Sequence, residues 1–238
     1  MKILAIETAT EACSAALMID GVCEERYRLA PREHNLLILP MIESLLAEAE
    51  LAVTNLDAIA FGCGPGSFTG VRVATGVTQG IALGAGLPVI PVSTLAALAE
   101  DALEGQTSGC AYPCIDARMS EVYWGVYCRT PEGGLELSGA EAVLPPSDIP
   151  VTEGCQGTGT GSGWMTYEAI LTARLGNRLN GILPDRFPRA AAIARLAVRD
   201  HALGRLVLPE EALPVYLRND VAKKSTKTGP LRSAGELS

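Results

Sequence analysis

The chain has 238 residues, of which 48% are hydrophobic and 19% are charged, a composition that excludes an intrinsically disordered protein. Its formal net charge is -8, and an acidic body repels phosphate backbones, so we expect few direct contacts with nucleic acid. Glu7 stops the first apolar run too early for a signal peptide, and no later run is long enough for a bilayer, which predicts a cytoplasmic protein with no membrane contact.

Alternating strand and helix patterns fill the first half of the chain. Short apolar runs bounded by turn residues predict strands, and apolar residues at helical spacing predict helices. In chain order these elements are strands at 2–7, 12–20 and 22–29, a helix at 33–50, a strand at 56–62, a helix at 71–83, a strand at 88–92 and a helix from 93 to about 105. Pro40 predicts a kink or restart in the first helix.

The second half repeats this order. Its predicted elements are strands at 110–115, 121–128 and 135–143, a short strand leading into 157–163, and helices at 164–175 and 189–203. Residues 6–11 and 115–121 are both strand, carboxylate, tight turn and strand, which indicates a duplicated α/β unit. We therefore predict one lobe at 1–105, a second at 106–221 and a disordered basic tail at 222–238.

A glycine-rich stretch, FGCGPGSFTGVR at 61–72, lies between a predicted strand and a predicted helix. It matches neither G-x-G-x-x-G nor a Walker loop, since Val71 and Arg72 stand where lysine and a hydroxyl residue are needed. A strand end followed by glycines and a helix N-terminus can still bind an anion. A purely structural turn is the alternative.

A second glycine run, at 157–163, allows the two halves to form a nucleotide cleft between them, with a carboxylate from each near a metal and phosphate. The candidate nucleotide or phosphate contacts are Glu7, Thr8, Gly64, Gly66, Ser67, Asp116, Gly157 and Gly159. The alternative is that Glu7 and Asp116 only cap turns.

Candidates for catalysis are few. The two histidines, His34 and His201, are far apart in the sequence and do not form a metal-binding motif. Seven cysteines without a C-x-x-C pair predict reduced thiols and no disulfide framework. No complete active site is predicted.

Six segments of the chain, in order, resemble the bacterial TsaB family, formerly YeaZ. They are ILAIET at 3–8, HNLL at 34–37, GPGSFTGVR at 64–72, PVSTL at 91–95, DARMSEVY at 116–123 and PVYLR at 214–218. The resemblance implies a two-lobed fold of the actin, Hsp70 and sugar-kinase (ASKHA) class. It also implies a noncatalytic partner of TsaD in forming threonylcarbamoyladenosine beside the anticodon of tRNA.

The paralogue TsaD carries a metal-binding H-x-x-x-H, and the matching positions here are Thr94 and Leu98. A hydroxyl and an isobutyl group cannot replace two imidazoles as ligands. The resemblance therefore implies no metal, no catalytic residue and no cofactor of its own, with ATP or ADP at the level of the complex. The implied partners are a TsaD-type catalytic subunit, a TsaE-type ATPase, a second copy when the chain is alone, and tRNA indirectly.

The resemblance also implies pairing through the helices near 34–50 and 70–84. Apolar residues and a row of glycines on these helices are the predicted interface, namely Leu36, Leu39, Ile42, Leu46, Val73, Gly76, Val77 and Gly80. The alternative is that these faces pack only inside the lobe.

Two other functions are weighed against this one. The first is an ATPase or small-molecule phosphotransferase of the ASKHA class, with Glu7 or Asp116 on magnesium, for which the sequence shows no catalytic base. The second is a glycoprotease-like peptidase, which needs a nucleophile and base that the two histidines do not supply.

Overall fold

The computed structural model describes residues 1–152 and 154–218, so the predicted tail at 222–238 lies outside the described residues. Five strands form the first sheet, in the order β3-β2-β1-β4-β5. They are β1 (Lys2–Glu7), β2 (Ala12–Ile19), β3 (Val22–Leu29), β4 (Ala58–Gly64) and β5 (Val89–Ser93). The first three strands form an antiparallel meander, and β4 and β5 continue the sheet in parallel from β1.

The second sheet repeats this topology. Its main path is β10-β7-β6-β11-β12, with β8 pairing with β6 and β9 with β8. The strands are β6 (Cys110–Arg118), β7 (Glu121–Trp124), β8 (Tyr127–Arg129), β9 (Leu135–Leu137), β10 (Ala142–Leu144), β11 (Gly157–Thr160) and β12 (Leu179–Leu183). As in the first sheet, β6 is antiparallel to β7 and β11 and β12 are parallel. The topology agrees with the predicted duplication, although β12 was not predicted.

Five α-helices accompany the sheets. They are α1 (His34–Glu48), α2 (Phe68–Ala85), α3 (Thr94–Ala102), α4 (Ser162–Leu175) and α5 (Ala190–Ala202). Helix α1 is not divided at Pro40. Helix α2 begins three residues earlier than predicted because the hydroxyl of Ser67 accepts a 3.1 Å hydrogen bond from the Gly70 N–H and caps its N-terminus.

Helices cover both faces of the first sheet, because side chains alternate along its strands. On one face, Leu4 and Ile6 of β1 belong to a core that includes residues of α1 and α2. On the opposite face, Ile3 and Ala5 pack with α5, including Ile193. The predicted boundary of the second lobe at 106–221 is therefore wrong at its end, since residues 190–202 complete the first lobe.

One pair of cysteines departs from the predicted reduced state. Cys110 of β6 and Cys128 of β8 form a disulfide, and Cys13, Cys23, Cys63, Cys114 and Cys155 are free. The two joined residues stand opposite each other in the antiparallel pair of β6 and β8. This register is not visible in the spacing of the cysteines along the chain.

Every helix within residues 1–152 and 154–218 is too short or too polar to cross a bilayer.

Candidate functional site

A cleft of about 820 Å³ opens between the two lobes. Its wall on the first lobe includes Gly66, Ser67 and Gly70, from the glycine stretch that leads into α2. Its wall on the second lobe includes Asp116 and Arg118, at the turn between β6 and β7. The glycine loop of the first lobe and Asp116 of the second lobe therefore line the same cleft, as the sequence predicts.

The glycine loop is held by hydrogen bonds to the chain's own backbone. The N–H of Ser67 donates to the carbonyl oxygen of Ala9 over 2.7 Å. The hydroxyl of Thr8 donates to the carbonyl oxygen of Gly70 over 2.7 Å. A Cβ added at Gly70 would overlap the Thr8 carbonyl, and one at Gly66 would overlap Ala9. These glycines allow the turn after β1 to pack against the start of α2.

Gly64 has a similar role on the other side of the loop. Its φ of +106° is in the region that favours glycine, and an added Cβ would lie 2.7 Å from the carbonyl oxygen of Val215. Next to it, the Val215 N–H donates to the Cys63 carbonyl oxygen over 2.7 Å. The loop is thus enclosed between the first turn of the chain and a segment near its end.

Glu7, a predicted phosphate contact, does not line the cleft. Its side chain is fully buried, accepts hydrogen bonds from the Ala9 N–H and the Thr94 hydroxyl, and occupies the space above Gly62. Burial raises the pKa of its carboxyl to about 7, although the hydrogen bonds from Ala9 and Thr94 oppose this shift. Thr8 is also buried and is used in the bond to Gly70.

Gly157 and Gly159 lie in β11 and are not part of the cleft wall. A Cβ at Gly157 would lie 2.5 Å from the carbonyl oxygen of Cys110, and one at Gly159 would overlap the ring of Trp164. The second glycine run therefore makes room for strand and indole packing in the second core. The predicted symmetry of two phosphate loops is wrong.

Asp116 is held by an arginine of its own turn. Its carboxylate accepts a 2.8 Å bond from the Arg118 N–H and a 2.9 Å bond from Arg118 Nη1. Arg118 also reaches Glu11 of the first lobe, over 3.2 Å. The Asp116 carboxylate therefore caps its own turn, in agreement with the alternative prediction for this residue. Arg118 also connects the two lobes at the mouth of the cleft.

A segment near the C-terminus, residues 212–218, crosses from one lobe to the other, and we call it the strap. On the first lobe, the hydroxyl of Tyr216 accepts a 2.9 Å bond from Arg72 of α2, and its ring lies 5.9 Å from that of Phe68. On the second lobe, Arg218 donates to the Ala117 carbonyl oxygen over 3.0 Å and pairs with Glu121. The composition of the strap gives no signal for this role, although PVYLR at 214–218 is one of the six segments that carry the family resemblance.

A second polar cluster, not predicted from the sequence, lies at the start of α3. The Tyr127 hydroxyl donates to Glu141 over 2.6 Å, and Glu141 also accepts from the Ser93 hydroxyl. Ser93 in turn caps α3 by accepting bonds from the N–H groups of Leu95 and Ala96. Burial raises the pKa of the Glu141 carboxyl, and the hydrogen bonds from Ser93 and Tyr127 oppose this shift.

The outer surface of α1 and α2 carries part of the predicted interface. Leu36 is 68% exposed and Leu39 47% exposed, but Ile42 and Leu46 are 3% and 8% exposed and belong to the lobe's own core. The predicted four-residue face of α1 is therefore wrong for Ile42 and Leu46, because the sheet beneath the helix covers them.

The glycine row on α2 does face outward. A Cβ added at Gly76, Gly80 or Gly84 would meet no atom of residues 1–152 and 154–218 within 4 Å. Leu83, beside the row, is 71% exposed, while Val73 and Val77 are half-buried. We call Leu36, Leu39, Gly76, Gly80 and Leu83 the outer helix face, since α1 and α2 cover the same side of the first sheet.

Comparisons with known proteins agree with one another. The family model described as TsaD: tRNA N6-adenosine threonylcarbamoyltransferase matches residues 25–146. The chain is 43% identical over 231 residues to the tRNA threonylcarbamoyladenosine biosynthesis protein TsaB of Escherichia coli (strain K12), covering 94% of this chain and 97% of that protein. The chain belongs to the TsaB (YeaZ) family.

Two further relatives support this membership. The TsaB of Haemophilus influenzae is 36% identical over 233 residues, covering 94% of this chain and 96% of that protein. A solved structure of YeaZ from Pseudomonas aeruginosa superposes with a TM-score of 0.83 at 44% identity, covering 91% of this chain and 99% of that one. The predicted two-lobed ASKHA fold is thereby confirmed.

In this member of the TsaB family, the positions that resemble the metal histidines of TsaD have structural roles. Thr94 is fully buried and donates to Glu7 over 3.4 Å, and Leu98 is fully buried in a hydrophobic cluster with Leu95 and Ile115. His34 is buried, with Nε2 2.8 Å from the Thr10 carbonyl oxygen, and His201 lies in the last turn of α5. The structure does not bring the two histidines into one site.

Proposed function

We propose that this chain is a noncatalytic partner subunit in the formation of threonylcarbamoyladenosine on tRNA. It acts by binding a TsaD-type catalytic subunit and holding it in a competent conformation. The names of its relatives support the pathway, and the match of a TsaD family model supports kinship with the catalytic subunit.

The observation that carries the proposal is the outer helix face. Glycine inside a helix costs about 1 kcal/mol relative to alanine, and nothing among the residues that the structure describes requires Gly76 or Gly80 to lack a side chain. A helix of another subunit that packs closely against α2 would require Gly76 and Gly80 to have no side chain. The exposed Leu36 and Leu83 offer apolar area for the same contact.

The noncatalytic role is supported by the state of the cleft. Its glycine loop is bound to Ala9, Thr8 and Val215 of the chain itself, and Glu7 points into the core. Asp116 is paired with Arg118. The groups that would bind a metal and phosphate are thus used in holding the fold.

The remaining partners follow from this assignment. Alone, the chain forms a homodimer through the outer helix face, and the catalytic subunit replaces the second copy. A TsaE-type ATPase docks on the resulting pair, with ATP or ADP bound at the level of the complex. The charge of -8 favours tRNA binding mainly by the partners.

The test is reconstitution with a purified TsaD-type subunit, threonylcarbamoyl-adenylate and tRNA. We expect repeated turnover only when this chain is present. The double variant Leu36→Asp with Leu83→Asp should bind the catalytic subunit at least tenfold more weakly and lower turnover with it. Met165→Asp is the matched control, since Met165 is 61% exposed on α4 of the second lobe, and it should behave as wild type.

Full turnover by the TsaD-type subunit without this chain would contradict the proposed role. Unchanged binding by the double variant, with its fold intact, would contradict the proposed surface alone.

The size of the cleft favours one second candidate, an ATPase. Ser67 and Asp116 line a cavity of about 820 Å³, which is large enough for a small-molecule ligand. This candidate requires the isolated chain to release phosphate from ATP at a rate that Asp116→Asn abolishes. Glu7→Ala is not a suitable probe, because Glu7 lies in the core.

A further inference from the structure

Three cysteines meet at one end of the second sheet. Cys110 is the first residue of β6, Cys128 lies opposite it in β8, and Cys155 lies in the segment that leads into β11. Among the residues that the structure describes, they form the one group of His, Cys, Asp or Glu with ligand atoms close enough together for a metal, all within 4.8 Å. Cys128 and Cys155 are half-buried, and Cys110 is buried.

The sulfur atoms are arranged as a disulfide with a third thiol beside it. Cys110 and Cys128 are bonded, and Sγ of Cys155 lies 3.6 Å from Sγ of Cys128. That distance is van der Waals contact between a free thiol and a disulfide sulfur.

Two hydrogen bonds hold the backbone at Cys155 and Gln156. The carbonyl oxygen of Cys155 accepts a 2.9 Å bond from the Tyr112 hydroxyl, and the carbonyl oxygen of Gln156 accepts a 3.3 Å bond from the Cys110 N–H. The segment that carries the third thiol is thereby attached to β6, the strand that carries one of the bonded cysteines.

We propose that Cys110, Cys128 and Cys155 form a thiol–disulfide exchange site. The Cys155 thiolate attacks Sγ of Cys128, a Cys128–Cys155 bond forms and the Cys110–Cys128 bond breaks. The electron pair of the broken bond leaves with Sγ of Cys110, which takes up the proton that Cys155 released. One disulfide and one thiol remain, so the step requires no external oxidant.

The exchange moves a covalent link between two parts of the second lobe. Before it, the link joins neighbouring strands, β6 and β8. Afterwards it joins β8 to the segment before β11 and leaves Cys110 free. When all three cysteines are reduced, the site takes a low-molecular-weight disulfide, which oxidises two protein thiols to one disulfide and is itself reduced to two small thiols.

The chain is well suited to a direct test by peptide mapping. Cleavage by trypsin after Arg72, Arg118, Arg129 and Arg174 places the three cysteines on separate peptides, 73–118, 119–129 and 130–174. The full chain is reduced, oxidised with one equivalent of oxidised glutathione, alkylated, and digested without reductant. Mass spectrometry then identifies the linked peptides.

We expect two products from the wild-type chain, 73–118 linked to 119–129 and 119–129 linked to 130–174. Cys155→Ser should lose the second product and Cys110→Ser the first. Cys23→Ser is the matched control, because Cys23 is a half-buried free thiol outside the cluster, and it should keep both. Cys114→Ser should also keep both, which assigns the link in 73–118 to Cys110.

The site is disproved if the wild-type chain gives only the first product and Cys110→Ser, still folded by circular dichroism, gives no linked peptide. It is also disproved if the reduced chain binds one equivalent of Zn²⁺ through the three thiols and then resists oxidation, because the cluster would then be a metal site.

Discussion

Thr8 and Gly70 are joined across the first lobe, because the Thr8 hydroxyl donates a 2.7 Å hydrogen bond to the Gly70 carbonyl oxygen. The contact links the end of β1 to the first turn of α2. It depends on Gly70 having no side chain, since an added Cβ would overlap the Thr8 carbonyl oxygen. The glycine loop is therefore a packing element between the turn after β1 and the helix.

Gly70→Ala should destabilise the chain by at least about 2 kcal/mol, because the overlap involves backbone that cannot move aside without breaking the Thr8 contact. Gly84→Ala in the same helix is the control. An added Cβ there meets no atom of the described part of the chain within 4 Å, so this variant should be more stable than wild type by about 0.5 to 1 kcal/mol. Urea unfolding of both variants measures the difference. Equal stability of the two would show that the loop relaxes freely.

The double variant Gly76→Ala with Gly80→Ala should change stability and partner binding in opposite directions. The free energy of unfolding should rise by about 1 to 2 kcal/mol, because two helical glycines are replaced without a clash. The affinity for a TsaD-type subunit should fall, because the added methyl groups keep the partner helix away. Calorimetric titration measures the affinity.

The control for that pair is Gly181→Ala in β12, where an added Cβ also meets no atom within 4 Å among the residues described. It should leave the affinity unchanged. If the double variant bound its partner as tightly as wild type, close helix approach at this row would be excluded.

The burial of Glu7 predicts a dependence of stability on pH. Its pKa is raised from 4.5 to about 7 in the folded chain, so between these values the folded state holds a proton that the unfolded state releases. The contribution of this bound proton to the free energy of unfolding is fully present below pH 4.5. It is lost as the pH rises through about 7, which lowers the stability by up to about 3 kcal/mol.

Glu7→Gln carries no such proton and should remove this part of the pH dependence, so that it is more stable than wild type at pH 8. Urea unfolding at pH 5, 6, 7 and 8 measures the difference. The control is the exposed Glu33→Gln, which should follow the wild-type curve. A pH dependence that persists in Glu7→Gln would assign it to other groups.

Arg218→Ala should loosen the connection between the lobes. The variant loses the bond to the Ala117 carbonyl oxygen and leaves Glu121, whose side chain is 33% exposed, without its partner. We expect a loss of about 1 to 3 kcal/mol and a larger radius of gyration by small-angle X-ray scattering.

Arg205→Ala is the matched control for the strap. Arg205 pairs with Asp200 at an exposed turn within one lobe, and such pairs contribute about 0 to 1 kcal/mol. A radius of gyration that is equal in the two variants would show that the strap does not set the position of the lobes.

The sequence predicts the local elements well, because apolar periodicity and turn residues act over short distances. It also predicts the duplication from the repeated strand, carboxylate and turn. It does not reveal which apolar residues of α1 are covered. Ile42 and Leu36 are equally apolar, and only the sheet beneath the helix buries the first and leaves the second exposed.

The wrong predictions at the site have the same cause, which is contact between residues that are far apart in the sequence. The glycines at 157 and 159 have the composition of a phosphate loop, but Trp164 and Cys110 occupy the space beside them. The inward direction of Glu7 depends on Gly62 and Thr94. The Cys110–Cys128 bond depends on the register of β6 and β8. None of these partners is determined by local spacing.

The return of α5 to the first sheet affects the order in which the chain can fold during synthesis. The strands β1 to β5 leave the ribosome first, whereas the helix that covers Ile3, Ala5 and Ile90 is the last α-helix of the described chain. That apolar face stays uncovered until nearly the whole chain has emerged. We expect ribosome-bound chains stalled before residue 190 to remain protease-sensitive in the first lobe, so that the nascent protein would need a chaperone or rapid completion to avoid aggregation.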